Sequence, residues 1–441
     1  TLFRSHLKFN GYTEMQTGNK HPVQKIVLKK PYELNDNRIC DLISTLCLYD
    51  DQWDMSGFEH AATQSTGWTW FSAAINNQDW YEDNWDVPDF YLTDKIERFY
   101  QAADEYGLRL TYNLIFKDKA YLGQSNQTGP GSLSDPAQVE RYLAFIEEVV
   151  THFKGVVDCY EIWNESNIGN SPQYVSAEDY IAVVKQAYPL IKSIDPDAIV
   201  SIGHTTSYQE EYSQAYMDAL VSSDVVRYCD RITIHPFFYV SPEHYPEYYY
   251  HYPEIVAEMK AKAIENGFQG DFWGSEGNYH PTEHVAPEDA YMMAAYTETV
   301  SAKYVQRVNA MNIGLGLSGG TMGTNNYPIS VNAIGRSALL LSGVRAADHG
   351  IAIDTGVSPV RSFSYDVDMG TLFSYWNDGT ATDEDQVAYC DILLDAAGCE
   401  HVYAYDVLQG LYTELDFSVE DGGIAIRNAV LKDYPIYLLV N

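Results

Sequence analysis

Between residues 40 and 345 the chain repeats one pattern. A short apolar run of β-type residues is followed by a longer stretch with helical spacing. The runs are "LISTLCLY", "TWFSAAI" (69–75), "LRLTYNLIF" (108–116), "VVDCYEIW" (156–163), "AIVSIG" (198–203), "RITIHPF" (231–237), "DFWGS" (271–275) and "IGLGLSG" (313–319). The stretches between them carry helix start and stop signals. "LTDKIERFYQAADEYG" starts at a Thr and stops at Gly107. "SDPAQVERYLAFIEEVVTHFKG" has a cap at Ser134 or Asp135, Pro136 in its first turn and Gly155 past its end. "SAEDYIAVVKQAYPLIKSIDP" opens with Ser176 and, three residues on, Asp179. Eight such alternations predict an α/β protein built on a parallel (β/α)8 TIM barrel spanning residues 39–345. An open doubly wound sheet is the alternative. It is weakened because no G-x-G-x-x-G follows the first run.

After residue 345 the helical spacing stops. "GTLFSYWNDG", "QVAYCDILLD", "HVYAYDVLQG", "YTELDFSVEDGG" and "YPIYLLVN" alternate apolar and polar residues between Asp/Gly turns. This predicts an accessory β-sandwich over residues 346–441. Residues 1–38 contain the alternation "KIVLKK" and are expected to add strands to it.

A formal net charge of -35, from 62 acidic and 27 basic residues, disfavours nucleic acid and anionic membranes as partners. The acidity is spread along the chain and reads as a solvated surface, so a neutral partner fits best. Tyr is abundant, with 37 residues. An aromatic face with a polar tip suits either a core or a sugar-binding surface. No apolar run is long enough to span a membrane. The six Cys contain no C-x-x-C. Cys159 and Cys229 lie in apolar runs and read as buried thiols. Cys40 with Cys47, or Cys390 with Cys399, could pair, but the spacing does not require it.

In a barrel of this kind, chemistry gathers where the strands end. The fourth run ends in Trp163-Asn164-Glu165 and the seventh in Trp273-Gly274-Ser275-Glu276. The fifth ends in Gly203-His204 and the sixth in His235-Pro236, followed by Phe237, Phe238 and Tyr239. Two Glu on strands well separated around the barrel can face each other across its mouth. A retaining glycosidase needs such a pair about 5–5.5 Å apart, one protonated to assist the leaving oxygen and one ionised to attack the anomeric carbon. A lone Glu at a strand end is commonly a solvated turn residue. Two of them, each after a Trp-containing strand and one preceded by Asn164, point to a catalytic pair.

"YEIWNESN" and "FWGSEGNY" resemble the acid/base and nucleophile strand ends of the clan A glycoside hydrolases. "GWTWFSAAI", "LTDKIERFYQAADEYGLRLTYNLI" and "DYPIYLLV" look most like glycoside hydrolase family 39, with its β-xylosidases and exopolysaccharide glycosidases. The resemblance runs from about residue 40 to the end of the chain. It implies Glu165 as general acid/base and Glu276 as nucleophile, with catalysis needing no cofactor. It places Asn164, His204, His235, Tyr239, Trp273 and Tyr279 around the substrate. Three positions depart from the pattern. Ser72-Ala73 stands where relatives often carry Arg. Phe237 stands where they commonly carry Tyr, leaving Tyr239 to substitute. Gly319-Gly320 stands where the eighth strand often ends near Trp.

The expected function is therefore hydrolysis of a polysaccharide or oligosaccharide by double displacement, in a secreted or cell-surface protein whose partner is a carbohydrate. The alternatives are a carbohydrate-binding protein on an impaired barrel, or a transglycosylase. The Tyr/Pro-rich stretch 235–254 reads as a long packed loop or as an aromatic wall beside the sugar. Its residue density argues against a helix start there. Trp68, Trp70, Trp80 and Trp85 are expected to divide between core and mouth. His280 and His284 form a poor ligand pair, so no metal is expected.

Overall fold

The computed structural model describes residues 14–28, 40–46, 66–72, 101, 109–115, 133–169, 174–279, 281–282, 294–321, 327–341, 343–396, 398–420 and 422–441. Strands 40–46 and 66–72 and residues 278 and 319–321 are described by backbone only. Residues 92–100 and 102–107 of the first expected helix, Trp80, Trp85, Cys47, His280 and His284 lie outside the described residues. So do the side chains of Cys40, Trp68 and Trp70.

Eight strands form one sheet in which every pair is parallel. They are β1 (Cys40–Leu46), β2 (Thr66–Ser72), β3 (Arg109–Asn113), β4 (Cys159–Glu161), β5 (Ile199–Thr205), β6 (Arg231–Ile234), β7 (Asp271–Gly274) and β8 (Gly319–Thr321). The order across the sheet is β8-β1-β2-β3-β4-β5-β6-β7. Its two outer strands approach each other where Gly274 N, in β7, donates to Ser318 Oγ at 3.2 Å, just before β8.

Helices fill the connections from β3 onward: α1 (Pro136–His152), α2 (Ala177–Ile194), α3 (Glu211–Val221), α4 (Pro246–Glu265), α5 (Glu298–Gly314) and, after β8, α6 (Pro328–Leu340). Their starts follow the chemistry of the sequence. Asp135 caps α1 by accepting from Ala137 N, with Pro136 in the first turn. Ser176 caps α2 by accepting from Asp179 N at 3.1 Å. One face of each packs on the sheet: Phe145, Ile146 and Val149 from α1, and Val183, Val184 and Ile191 from α2, meet Tyr160, Val200 and Ile202 in one core.

Two sequence expectations are corrected. The run 313–319 is not the eighth strand. Helix α5 continues to Gly314, and Gly316, at φ 71, turns the chain before the strand begins at Gly319. Ile313, Leu315 and Leu317 alternate like a strand, but the first ends a helix and the other two lie in its exit turn. The stretch 246–254 is not loop either, because α4 starts at Pro246. Its Tyr hydroxyls reach polar groups through the core: Tyr248 to Pro236 O at 2.9 Å, Tyr249 to Asp378 Oδ1 at 2.6 Å and Tyr252 to Asn312 Oδ1 at 2.7 Å. A Tyr-rich helix can be buried when each hydroxyl finds a partner.

Beyond α6 the chain forms two antiparallel sheets. The seven-stranded one runs Gln24–Lys25, Leu411–Glu414, Val402–Asp406, Ile436–Val440, Gly370–Asn377, Val360–Val367 and Arg345–Ala347. The four-stranded one runs Ile351–Asp354, Ala388–Leu394, Gly423–Leu431 and Ser418–Glu420. Phe373, Val402 and Leu438 from the first share a second core with Ile392 and Ile426 from the second. Cys390 and Cys399 are free thiols.

Helix α5 joins this unit to the parallel sheet. All of it from Glu298 to Ile313 is buried, polar residues included. Tyr304, Val308 and Met311 belong to the main core. Lys303 and Arg307 point to the antiparallel unit. Lys303 Nζ donates to both carboxylate oxygens of Asp433 at 2.8 Å and to Thr382 O at 2.6 Å. Arg307 donates to Asp433 O and Asn377 O. Burial pulls the Lys303 ammonium below its ordinary value, so its charge depends on Asp433. Asp433→Ala is expected to cost about 3–5 kcal/mol, since it strands a buried cation. The double variant Lys303→Met/Asp433→Leu is expected to recover most of that loss, read by urea unfolding of the three proteins.

Candidate active site

The C-terminal ends of β4, β5 and β6 leave ordinary strand geometry together. Beyond β4, Trp163 has φ 65 and Glu165 φ 47; at the end of β5, Gly203 has φ 102 and His204 φ 43; beyond β6, Tyr239 has φ 57. Non-glycine residues rarely take left-handed backbone, and such positions cluster at functional sites. Neighbouring contacts hold these turns. Glu165 N donates to His204 O at 2.9 Å. Asn113 Nδ2 donates to Trp163 O at 3.3 Å. Tyr180 from α2 donates to Ile162 O at 2.7 Å and accepts from Gly203 N at 3.2 Å. Gly203 is needed as glycine: a Cβ there would lie 2.5 Å from Thr233 O.

The β6–β7 ladder breaks and resumes. Ile234 pairs with Gly274, and Phe237 next pairs with Gly277. Two residues on each strand lie in the gap, His235-Pro236 on one and Ser275-Glu276 on the other. The break turns His235 and Glu276 toward Glu165 from β4. His235 Nδ1 donates to Glu165 Oε1 at 3.1 Å and lies 3.6 Å from Glu276 Oε2. One oxygen of each Glu lies within 4.8 Å of the other.

Burial divides the three groups. The His235 side chain is 1% exposed, that of Glu276 9% and that of Glu165 16%. Burial alone would pull the His235 imidazole down. The charge of Glu276, the hydrogen bond and charge of Glu165 and the charge of Glu161 outweigh it and raise the imidazole to about 9. Burial pushes the Glu276 carboxyl up to about 7. His235 opposes that rise, while Glu165 and Glu161 add to it. At neutral pH the cluster therefore holds a proton on His235 and shares further proton occupancy at Glu276. A protonated ring between two carboxylates can donate hydrogen bonds to them.

The other expected residues divide. Asn164 is half-buried beside Glu165. Tyr239 is half-buried and stacks on Tyr296, with ring centroids 6.4 Å apart. Among the described residues its hydroxyl has no hydrogen-bond partner. His204 is fully buried behind His235, ring to ring at 6.3 Å, and does not reach the mouth. Trp273 and Tyr279 correct the expectation that they line the substrate groove. Trp273 lies under the Arg231 guanidinium at 3.7 Å and packs with Cys159. Tyr279 is 1% exposed and stacks on Tyr304 at 5.6 Å, its hydroxyl donating to Val240 O. Trp273 and Tyr279 flank Glu276 in sequence, but both are buried away from His235, which Glu276 approaches.

Two buried polar residues next to the site escape the sequence reading: Glu161 and Asn113, joined by Asn113 Nδ2 donating to Glu161 Oε2 at 3.2 Å. Their signal is strand alternation. Tyr160 and Ile162 enter the main core under the helices, so Cys159 and Glu161 take the other side of the sheet.

No protein-family model matches the chain, and no curated protein matches it. Solved structures do. The fold is similar to that of a family 39 glycoside hydrolase from the gut symbiont Bacteroides cellulosilyticus, with a TM-score of 0.63 and 14% identity over 92% of this chain and 82% of that one. It is similar to a family 30 endoxylanase from Clostridium papyrosolvens, with a TM-score of 0.58 and 12% identity over 95% of this chain and 99% of that one. It is also similar to a conserved exported protein from Bacteroides fragilis, with a TM-score of 0.54 and 13% identity over 94% and 98% of the two chains. At these identities the likeness establishes the fold. Among the described residues no helix is long and apolar enough to cross a membrane.

The charge balance can be read directly. In the intact protein the His235 ring protons are expected to titrate near pH 9 by NMR. Glu276→Gln removes the anion 3.6 Å away and is expected to lower that midpoint by about one unit or more.

Proposed function

We propose that the protein is a retaining glycoside hydrolase acting on a neutral polysaccharide or oligosaccharide, with Glu276 as nucleophile and Glu165 as general acid/base. The observation that carries this reading is the pair of carboxylates within 4.8 Å, at the ends of β4 and β7, on a fold shared with glycoside hydrolases. That spacing suits the retaining pathway, since inversion requires about 6.5–9.5 Å to admit a water. On this reading the eight-stranded sheet is a closed (β/α)8 barrel over residues 39–345. The antiparallel sheets form a supporting β-sandwich over 346–441, joined by the N-terminal segment 1–38. The protein acts at the cell surface or outside it.

The roles follow from exposure and charge. Glu276 is the more buried of the two, so the glycosyl ester formed on it is shielded from water. Glu165 is the more open, where a water or an acceptor can be activated in the second step. A proton for the departing oxygen lies one hydrogen bond from Glu165, on His235 Nδ1. His235, as a cation, also favours the ionised Glu276 that attacks.

The experiment is reducing-sugar release across plant and bacterial polysaccharides and aryl β-glycosides. Wild type is expected to release sugar with retained anomeric configuration by NMR. Glu165→Ala and Glu276→Ala should each lose about 10²-fold or more. Activity surviving in Glu276→Ala would remove it as nucleophile. Wild-type binding without release would favour a carbohydrate-binding protein. For hydrolysis, the sign of the pH dependence is set by Glu276. It attacks only when ionised, so kcat/KM is expected to rise with pH through about 7.

A further inference from the structure

Beneath the two reacting carboxylates lies a third that the proposed chemistry does not use. Glu161 is 3% exposed, at the end of β4 and on the side of the sheet that carries Cys159. It accepts from Asn113 Nδ2 at 3.2 Å, and its Oε1 lies 3.4 Å from His204 Nδ1. His204 is fully buried between Glu161 and His235.

The charges around Glu161 can be taken strand by strand. From β3 comes neutral Asn113. From β4 comes Cys159, whose thiol burial pushes up and keeps uncharged. From β5 comes His204, which burial and the charge of His235 hold well below its ordinary value, hence neutral. From β6 comes the Arg231 guanidinium, bound by both oxygens of Asp271 from β7 at 2.8 Å each. The Arg231 charge also acts on Glu161 and on His204. Above lie His235, Glu165 and Glu276. Of these groups below the cluster, Glu161 is the one whose charge raises both His235 and Glu276.

We propose that Glu161 is a positioning residue: an ionised carboxylate beyond the reach of substrate, whose field crosses the uncharged His204 and keeps the His235–Glu165–Glu276 cluster richer in protons at neutral pH, setting the pH window of the site. The geometry gives the sign. A fixed anion favours the protonated form of every group near it, so it moves His235 and Glu276 the same way. Both are raised, with Glu161 among the causes for each. Glu161 touches no reacting atom and acts only through the groups above it.

The pH-window part rests on the hydrolase reading; the charge part does not. The test is Glu161→Gln in the full chain, which keeps the shape and an acceptor for Asn113. Two readouts are taken: the NMR titration of the His235 ring and the pH profile of kcat/KM. The His235 midpoint and both limbs of the profile are expected to move to lower pH by about one unit. Glu161→Asp, which keeps the charge, is expected to leave the limbs near their wild-type positions even if the rate falls. Lower activity with unmoved limbs and an unmoved His235 midpoint would reduce Glu161 to a packing residue and overturn the proposal. So would a shift to higher pH. If no glycan is cleaved by wild type, the hydrolase reading fails, and the His235 titration alone still decides the role of Glu161. If Glu161→Gln does not fold, Glu161→Ser, which leaves room for water, is read in the same two ways.

Discussion

Two residues of interrupted pairing between β6 and β7 set the distances at this site. Had the ladder run on unbroken past Ile234 and Gly274, regular alternation would have fixed where the next side chains point. The gap frees His235 and Glu276, and the renewed pairing of Phe237 with Gly277 fixes both ends of it. The left-handed turns at Trp163, Glu165 and His204 perform the same task on β4 and β5. Rigid strands thus deliver three polar groups to one point, and the irregular backbone is confined to the few residues that need it.

The site is also an exercise in sparing use of positive charge. A chain with net charge -35 places a single imidazolium against two carboxylates and a third behind them. Each buried carboxylate would be costly as an isolated anion. His235 offsets part of that cost and Asn113 satisfies part of Glu161. What is not offset is expressed as proton affinity, which a reaction that must donate a proton and accept one back can use.

Much of the architecture is legible in the amino-acid order. Seven of the eight parallel strands fall on the apolar runs, each a short run between helix signals. The eighth is masked by alternation at the end of α5. The strands Ile351–Asp354 and Val360–Val367 give no clear run, since many of their residues are only half-buried or exposed. At the site, Glu165, Glu276 and His235 stand out in the sequence because each follows an apolar run, at the end of a strand. Trp273 and Tyr279 mislead because adjacency in sequence says nothing about which side of a kinked strand a residue takes. Glu161 stands in plain view within "YEIWNESN" yet carries no signal of its own, because a buried acid on a strand is read by what surrounds it in space.

Helix α5 has a consequence for how such a chain can change over time. Its polar faces are covered from both sides, and its Lys303 finds its carboxylate 130 residues later, on Asp433. The antiparallel unit is therefore no detachable cassette. Exchanged for another unit, it would leave an ammonium and a guanidinium sealed against whatever replaced Asp433 and Asn377. Recombination that respects this protein has to carry the helix along with the sheets it serves, so its natural seam runs through the parallel unit rather than at residue 345.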